Sequence, residues 1–197
     1  MGFLRSVKCP VFNAERIKEV PERADYTIQI GGECEKTGIY KLDEFLSNFK
    51  IHTVNSRLTS VSKWSVRADW QGVLWQDFLD WVKPSADYKY MYTESWGGYK
   101  TSLAAELLMN PRVIICTGVA GEEIEHEYGG PLRMVIPNQW GFKSCKWLKK
   151  IYFTDEYVRG FWEANGYGDD GTILPCMVED VNTGKHIRIK GGEVTEF

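Results

Sequence analysis

What is scarce in this chain narrows its chemistry first. Its five cysteines (Cys9, Cys34, Cys116, Cys145, Cys176) are scattered and form no CxxC pair. Neither a disulfide framework nor a cysteine-rich zinc site is therefore expected. The three histidines, His52, His126 and His186, stand far apart, as surface or hydrogen-bonded imidazoles do and metal clusters do not. No apolar run reaches the roughly eighteen residues of a membrane-spanning helix. The opening Met1-Gly-Phe-Leu-Arg also lacks the apolar stretch of a secretory signal, so a cytoplasmic protein with no membrane segment is expected. The net charge is only −3, with both signs interspersed, which argues against a nucleic-acid or membrane-surface binder. There is no internal repeat and no low-complexity linker.

What is present suits one sizeable hydrophobic core in 197 residues. Eight tryptophans supply large packing side chains and flat walls for a pocket. Residues 26–31 alternate apolar and polar as a half-buried strand does. Leu42, Phe45, Leu46 and Phe49 recur at helical spacing, as do Trp75, Phe78, Leu79 and Val82, the latter ending before Pro84. Strands are expected over 88–93, 112–117, 132–136 and 148–153. A helix is expected over 102–109, closed by Asn110-Pro111, and a hairpin from Met177 turning at Asn182-Thr183-Gly184. Strands and short helices mix without a βαβ rhythm, which predicts an α+β fold built on mixed sheets. The expected organisation is one domain over residues 1–167 and a C-terminal extension, 168–197, carrying the hairpin.

The stretch from Tyr128 to Trp147 carries the most chemistry. Gly129 and Gly130 remove side chains where a bulky ligand could meet the backbone. Pro131 sets the entry angle of the next strand, and Arg133 projects from its start. Lys143, Ser144 and Lys146 then gather two cations and a hydroxyl. Cations and backbone N–H groups together suit a phosphate-bearing ligand; on these residues alone, a Gly/Pro loop with solvated charges is an equal reading.

The order of the parts is more specific. Gly129-Gly130-Pro131-Leu132-Arg133, then Pro137, then Gly141-Phe142-Lys143-Ser144-Cys145-Lys146-Trp147 resembles the pterin-cradling segment of the sulfite-oxidase-type molybdopterin-binding superfamily, including its bacterial methionine-sulfoxide-reducing branch. Other segments fall in that family's order. They are Tyr26-Thr-Ile-Gln-Ile-Gly, Gly98-Tyr-Lys-Thr-Ser-Leu, and Ile151-Tyr-Phe-Thr-Asp followed by Gly160-Phe-Trp-Glu-Ala-Asn-Gly-Tyr. The likeness spans roughly residues 24–168. It implies a sulfite-oxidase-like fold and a molybdopterin cofactor carrying Mo, or W in its place. It further implies that Arg133, Lys143 and the Ser144–Cys145–Lys146 segment hold the pterin and its phosphate beside Gly129 and Gly130. The Cys145 side chain itself reads as packing. Tyr128 stands where the family usually has His or Asn, which alters that contact.

The departure lies at the metal. The family pattern places its molybdenum-binding cysteine in Arg57-Leu-Thr-Ser60-Val-Ser-Lys-Trp64-Ser65, followed by Trp70-Gln-Gly72, where this chain has Ser60. A thiolate is soft and readily formed, whereas a serine hydroxyl is harder and far less acidic. Three explanations stand open: Ser60 ligates Mo or W as an alkoxide; the chain binds pterin and metal without a protein ligand, or binds no metal and serves another purpose; or an engineered change replaced a cysteine. Arg57 is the candidate contact for an anionic or oxo-bearing substrate, with a structural ion pair as its alternative reading. Trp64 and Trp140 are candidate pocket walls. Lys63, Arg67 and the glutamates at 122, 123, 125 and 127 read as solvated.

The resemblance therefore implies an oxidoreductase that moves an oxygen atom to or from a small sulfite- or sulfoxide-like substrate, drawing on a separate electron-transfer partner. The alternative is a non-catalytic binding protein on the same fold that has lost its metal ligand.

Overall fold

The computed structural model describes residues 1–14 and 20–195. The strands are β1 (Thr27–Gly32), β2 (Gly38–Lys41), β3 (His52–Ser60), β4 (Trp64–Leu74), β5 (Tyr90–Ser95) and β6 (Lys100–Ala104). They continue as β7 (Ile114–Val119), β8 (Glu122–Glu123), β9 (Arg133–Val135), β10 (Leu148–Thr154), β11 (Cys176–Asp180) and β12 (Lys185–Ile189). Helices are short: α1 (Phe3–Ser6), α2 (Leu42–Leu46), α3 (Trp75–Val82) and α4 (Phe161–Ala164). No helix among the described residues is long and apolar enough to cross a membrane. The fold is α+β, built on two mixed sheets.

One sheet has five strands in the order β2-β1-β10-β5-β6, with β1 and β10 parallel. Ile28, Ile30, Met91, Ile151 and Phe153 face its core. Phe45, Phe49, Phe78 and Trp81 stack edge to face beneath them, with ring centroids 5.1–6.4 Å apart, a geometry aromatic quadrupoles favour. Helix α3 buries Trp75, Phe78 and Val82, and ends where Lys83 adopts a left-handed conformation before Pro84.

The second sheet has seven strands, and the long hairpin β3–β4 is its spine. β4 pairs with β3, β7 and β11. Gly72 permits the register shift opposite β7: a Cβ there would lie 2.1 Å from the Ile115 carbonyl oxygen. The hairpin β11–β12 joins this sheet through a parallel pairing of Glu179 and Asp180 with Trp64 and Ser65. Trp140, Ile173, Val178, Ile189 and Val194 form a small core beneath it.

One expected element is different. Residues 102–109 are not an α-helix: β6 runs to Ala104 and a 3₁₀ turn follows over Ala105–Leu108. Thr101, Ser102 and Leu103 are all buried because both faces of β6 are covered, so the sequence lacks the alternation of a one-sided strand. The expected strands over 88–93 and 112–117 are each displaced by two residues, to β5 and β7.

Candidate active site

A cleft of about 960 Å³, open mouth included, lies where the N-terminal segment, the end of β3, the stretch 128–146 and the region of α4 converge. It has a cationic end and an aromatic end.

At the cationic end Arg133 starts β9 and is buried. Its guanidinium donates to the carbonyl oxygens of Tyr128 at 2.5 Å, Met134 at 3.2 Å and Ser144 at 3.4 Å. Among the described residues it has no carboxylate partner. Burial pushes its pKa down, while nearby thiols pull the other way, yet a guanidinium keeps its proton under such pressure. A buried cation facing only neutral dipoles favours an anion in the cleft. Ser144 Oγ accepts the Ile136 N–H at 3.0 Å, leaving its own proton to donate. Lys146 Nζ reaches the cleft held by Asn13 Oδ1 at 2.7 Å and Phe12 O at 3.0 Å. Tyr128 donates its hydroxyl to the Cys9 carbonyl at 2.9 Å, and burial lifts its pKa to about 12.

Ser60 ends β3 on the other side of the same cleft. Its Oγ accepts the Ser62 N–H at 3.1 Å in the turn to β4. An isolated bridge between Thr59 and Trp140 sets this strand end beside the 3₁₀ turn Gly141–Lys143. Leu58, Trp64 and Trp70 continue the wall there.

Several sequence candidates stand elsewhere. Side chains alternate along β3, so Leu58 and Ser60 face the cleft while Arg57 points to the opposite face. There Arg57 is buried and pairs with Asp180 at 3.0 Å, the structural ion pair of its alternative reading, and it is not among the residues that line the cleft. Lys143 is also turned away. Its ammonium is fully buried and donates to Glu163 Oε1 at 2.5 Å, Asp169 O at 2.6 Å and Ser102 O at 2.7 Å, so it clamps protein to protein. Burial lowers its pKa, and Glu163 opposes that. Cys145 packs in the main core.

The two glycines make room for protein rather than ligand. A Cβ at Gly129, where φ is +102°, would press on the Lys146 stem at 2.8 Å, and one at Gly130 would lie 1.9 Å from Ile124 O. Trp140 packs in the small core with Lys63 over its ring at 4.9 Å. Of the four glutamates, Glu125 accepts the Gly2 N–H at 3.0 Å and Glu127 pairs with Arg5 at 2.6 Å, fastening the N-terminal segment.

Residues that sequence reasoning passed over complete the cleft. Cys9, Phe12 and Asn13 arrive through contacts more than a hundred positions away along the chain, which no local pattern announces. Burial holds the Cys9 thiol up at about 11, so it is neutral at pH 7. Tyr99, Trp162 and Tyr167 form much of the aromatic end, and all three sit in segments matched by their order along the chain. Among the described residues, no group of three or more His, Cys, Asp or Glu side chains could hold a metal.

Residues 16–162 match the family model described as oxidoreductase molybdopterin binding domain. The chain is 30% identical over 189 residues to the protein-methionine-sulfoxide reductase catalytic subunit MsrP of Pseudomonas syringae pv. tomato, covering 85% of this chain and 55% of that relative. It is 29% identical over 170 residues to the subunit of the same name from Xanthomonas axonopodis pv. citri, covering 77% and 53%. The chain thus spans about half the length of these curated relatives. The crystal structure of the sulfane dehydrogenase SoxCD from Paracoccus pantotrophus superposes with a TM-score of 0.66 at 19% identity, covering 87% of this chain and 46% of that one. At that identity the likeness speaks for the fold alone.

Proposed function

The chain belongs to the oxidoreductase molybdopterin-binding domain family, and on that premise we propose that it reduces a sulfoxide by oxygen-atom transfer. The observation that carries this reading is Arg133, a buried guanidinium at the cleft held only by backbone carbonyls. It fits the anionic end of a phosphate-bearing pterin. Ser144, Lys146, Asn13 and Tyr128 would complete that seat, and Ser60 would face the metal.

When bound there, a molybdopterin cofactor would supply the two-electron redox chemistry that sulfoxide reduction needs. Reducing one sulfoxide to a sulfide consumes two electrons and two protons and releases water; the electrons would come from a separate redox partner. This chain's own residues position and shield. Arg133 and Lys146 fix the anionic end. Leu58, Trp64 and Trp70 keep water from the wall beside Ser60. The Ser62 N–H donates to Ser60 Oγ and would stabilise negative charge on that oxygen.

The test is reduction of methionine sulfoxide by protein made in cofactor-competent cells, with a reduced dye as electron donor. Turnover that scales with bound molybdenum supports the reading, and a metal-loaded protein that leaves every sulfoxide intact overturns it. A second reading, a pterin-binding protein without catalysis, draws on Ser60 in the metal-facing place. It predicts bound pterin with no metal.

A further inference from the structure

Strand β12 is an open, basic edge. It lies at one end of the seven-stranded sheet and pairs with β11. Among the described residues, Lys185–Ile189 make no further backbone-to-backbone hydrogen bond. Such an edge offers a row of N–H and C=O groups to another chain. Residues 181–192 hold Lys185, His186, Arg188 and Lys190 and no carboxylate, in a chain whose net charge is −3. All four of these side chains are exposed. The hairpin's own carboxylates do little to offset them. Asp180 is turned inward and held by Arg57, so Glu179 alone stands on the outer face, opposite His186. Met177, 48% exposed, stands opposite Arg188 on that face and adds an apolar contact. Cross-strand register carries the same face to the cleft: His186 opposes Glu179, Glu179 opposes Trp64, and Trp64 opposes Ser60.

We propose that this edge docks an acidic, extended segment of a partner protein, which adds to the sheet as a further strand beside β12. The backbone row supplies hydrogen bonds that any sequence can make, and alternate side chains supply the selection. Across the new pair, His186 and Arg188 favour Asp or Glu at the facing positions, since opposite charges in register stabilise a strand pair. A second copy of this chain is disfavoured, because pairing β12 with itself brings like charges together. A nucleic acid would meet the cations but leave the N–H and C=O row unused, and the excess of carboxylates elsewhere on the chain repels it. A segment docked here lies on the row of side chains that ends at Ser60.

The test follows binding of short fluorescent probes to the full chain by anisotropy. One peptide alternates Glu with Val, and a second is the same peptide N-methylated at alternate residues. A third carries Lys in place of every Glu, and single-stranded oligothymidylate is the fourth probe. The Glu–Val peptide should bind, more weakly as salt rises, and the Lys–Val peptide should not. Lys185→Glu with Arg188→Glu alters two exposed side chains that do not line the cleft, and thermal unfolding checks that this variant is folded. It should lower affinity for the Glu–Val peptide about tenfold or more. N-methylation, which removes donors from the incoming strand and keeps its charge, should weaken binding to wild type by a similar factor. No binding of the Glu–Val peptide, or equal binding by wild type and K185E/R188E, overturns the docking surface. Equal binding of the N-methylated peptide overturns it too, because charge attraction then needs no added strand. Tighter binding of oligothymidylate than of peptide, or a dimer that K185E/R188E abolishes, gives the edge another occupant and overturns the proposal. None of these readouts requires bound cofactor or sulfoxide reduction.

Discussion

Arg57 Nη1 and Asp180 Oδ1 lie 3.0 Å apart, both side chains almost wholly buried, across the seam between β3 and the C-terminal hairpin. Thr183 also donates its hydroxyl to Asp180 at 2.7 Å. The pair belongs to folding. Replacing Asp180 with Asn removes this carboxylate charge from beside the buried guanidinium, at a cost of roughly 3–5 kcal/mol. Urea denaturation of D180N against wild type measures it. A loss below about 1 kcal/mol would show the pair to be solvated.

The same carboxyl makes stability depend on pH. Burial works to raise the Asp180 pKa, but the bonds from Arg57 and Thr183 outweigh it and hold it below the usual carboxylate range. The folded value is thus below the unfolded one, about 3.9. The stabilisation is present above the unfolded value and is lost as pH falls through the folded one. Unfolding curves between about pH 2 and 5 should be flatter for D180N than for wild type.

Arg133 has the opposite character. Among the described residues it has no anionic partner, so Arg133→Met removes a buried charge rather than orphaning one. R133M should cost less stability than D180N, and its bound pterin should fall at least tenfold. Thermal unfolding and fluorimetric pterin assay read the two effects separately. Full pterin content in R133M would remove this residue from the cofactor seat.

Ser60→Cys would set a soft ligand at the position proposed to face the metal. Its thiolate forms far more readily than an alkoxide. Cofactor-loaded S60C should therefore gain a thiolate-to-metal charge-transfer band on top of the dithiolene absorbance it shares with wild type, with pterin content unchanged because the cationic end is untouched. Identical spectra would place Ser60 away from the metal.

Much of the fold was legible because it rests on local pattern. The spacing of Phe45 and Phe49, the stop at Pro84 and the turn at Asn182-Thr183-Gly184 each announce their element. The segment of β6 misled because burial on both faces erased its alternation. The site was half legible. Ordered motifs pointed to Arg133, Ser144 and Lys146, and the structure sets all three beside one cleft. Motif order carries no sidedness, however, so it could not show that Arg57 pairs with Asp180 and Lys143 with Glu163. Cys9, Phe12 and Asn13 left no trace, since only long-range hydrogen bonds from Tyr128 and Lys146 bring them in.

The most direct measurement is the molybdenum, tungsten and pterin content of the protein purified from cofactor-competent cells. The account predicts pterin and metal each approaching one per chain. Protein from such cells carrying neither would contradict it and leave a repurposed fold.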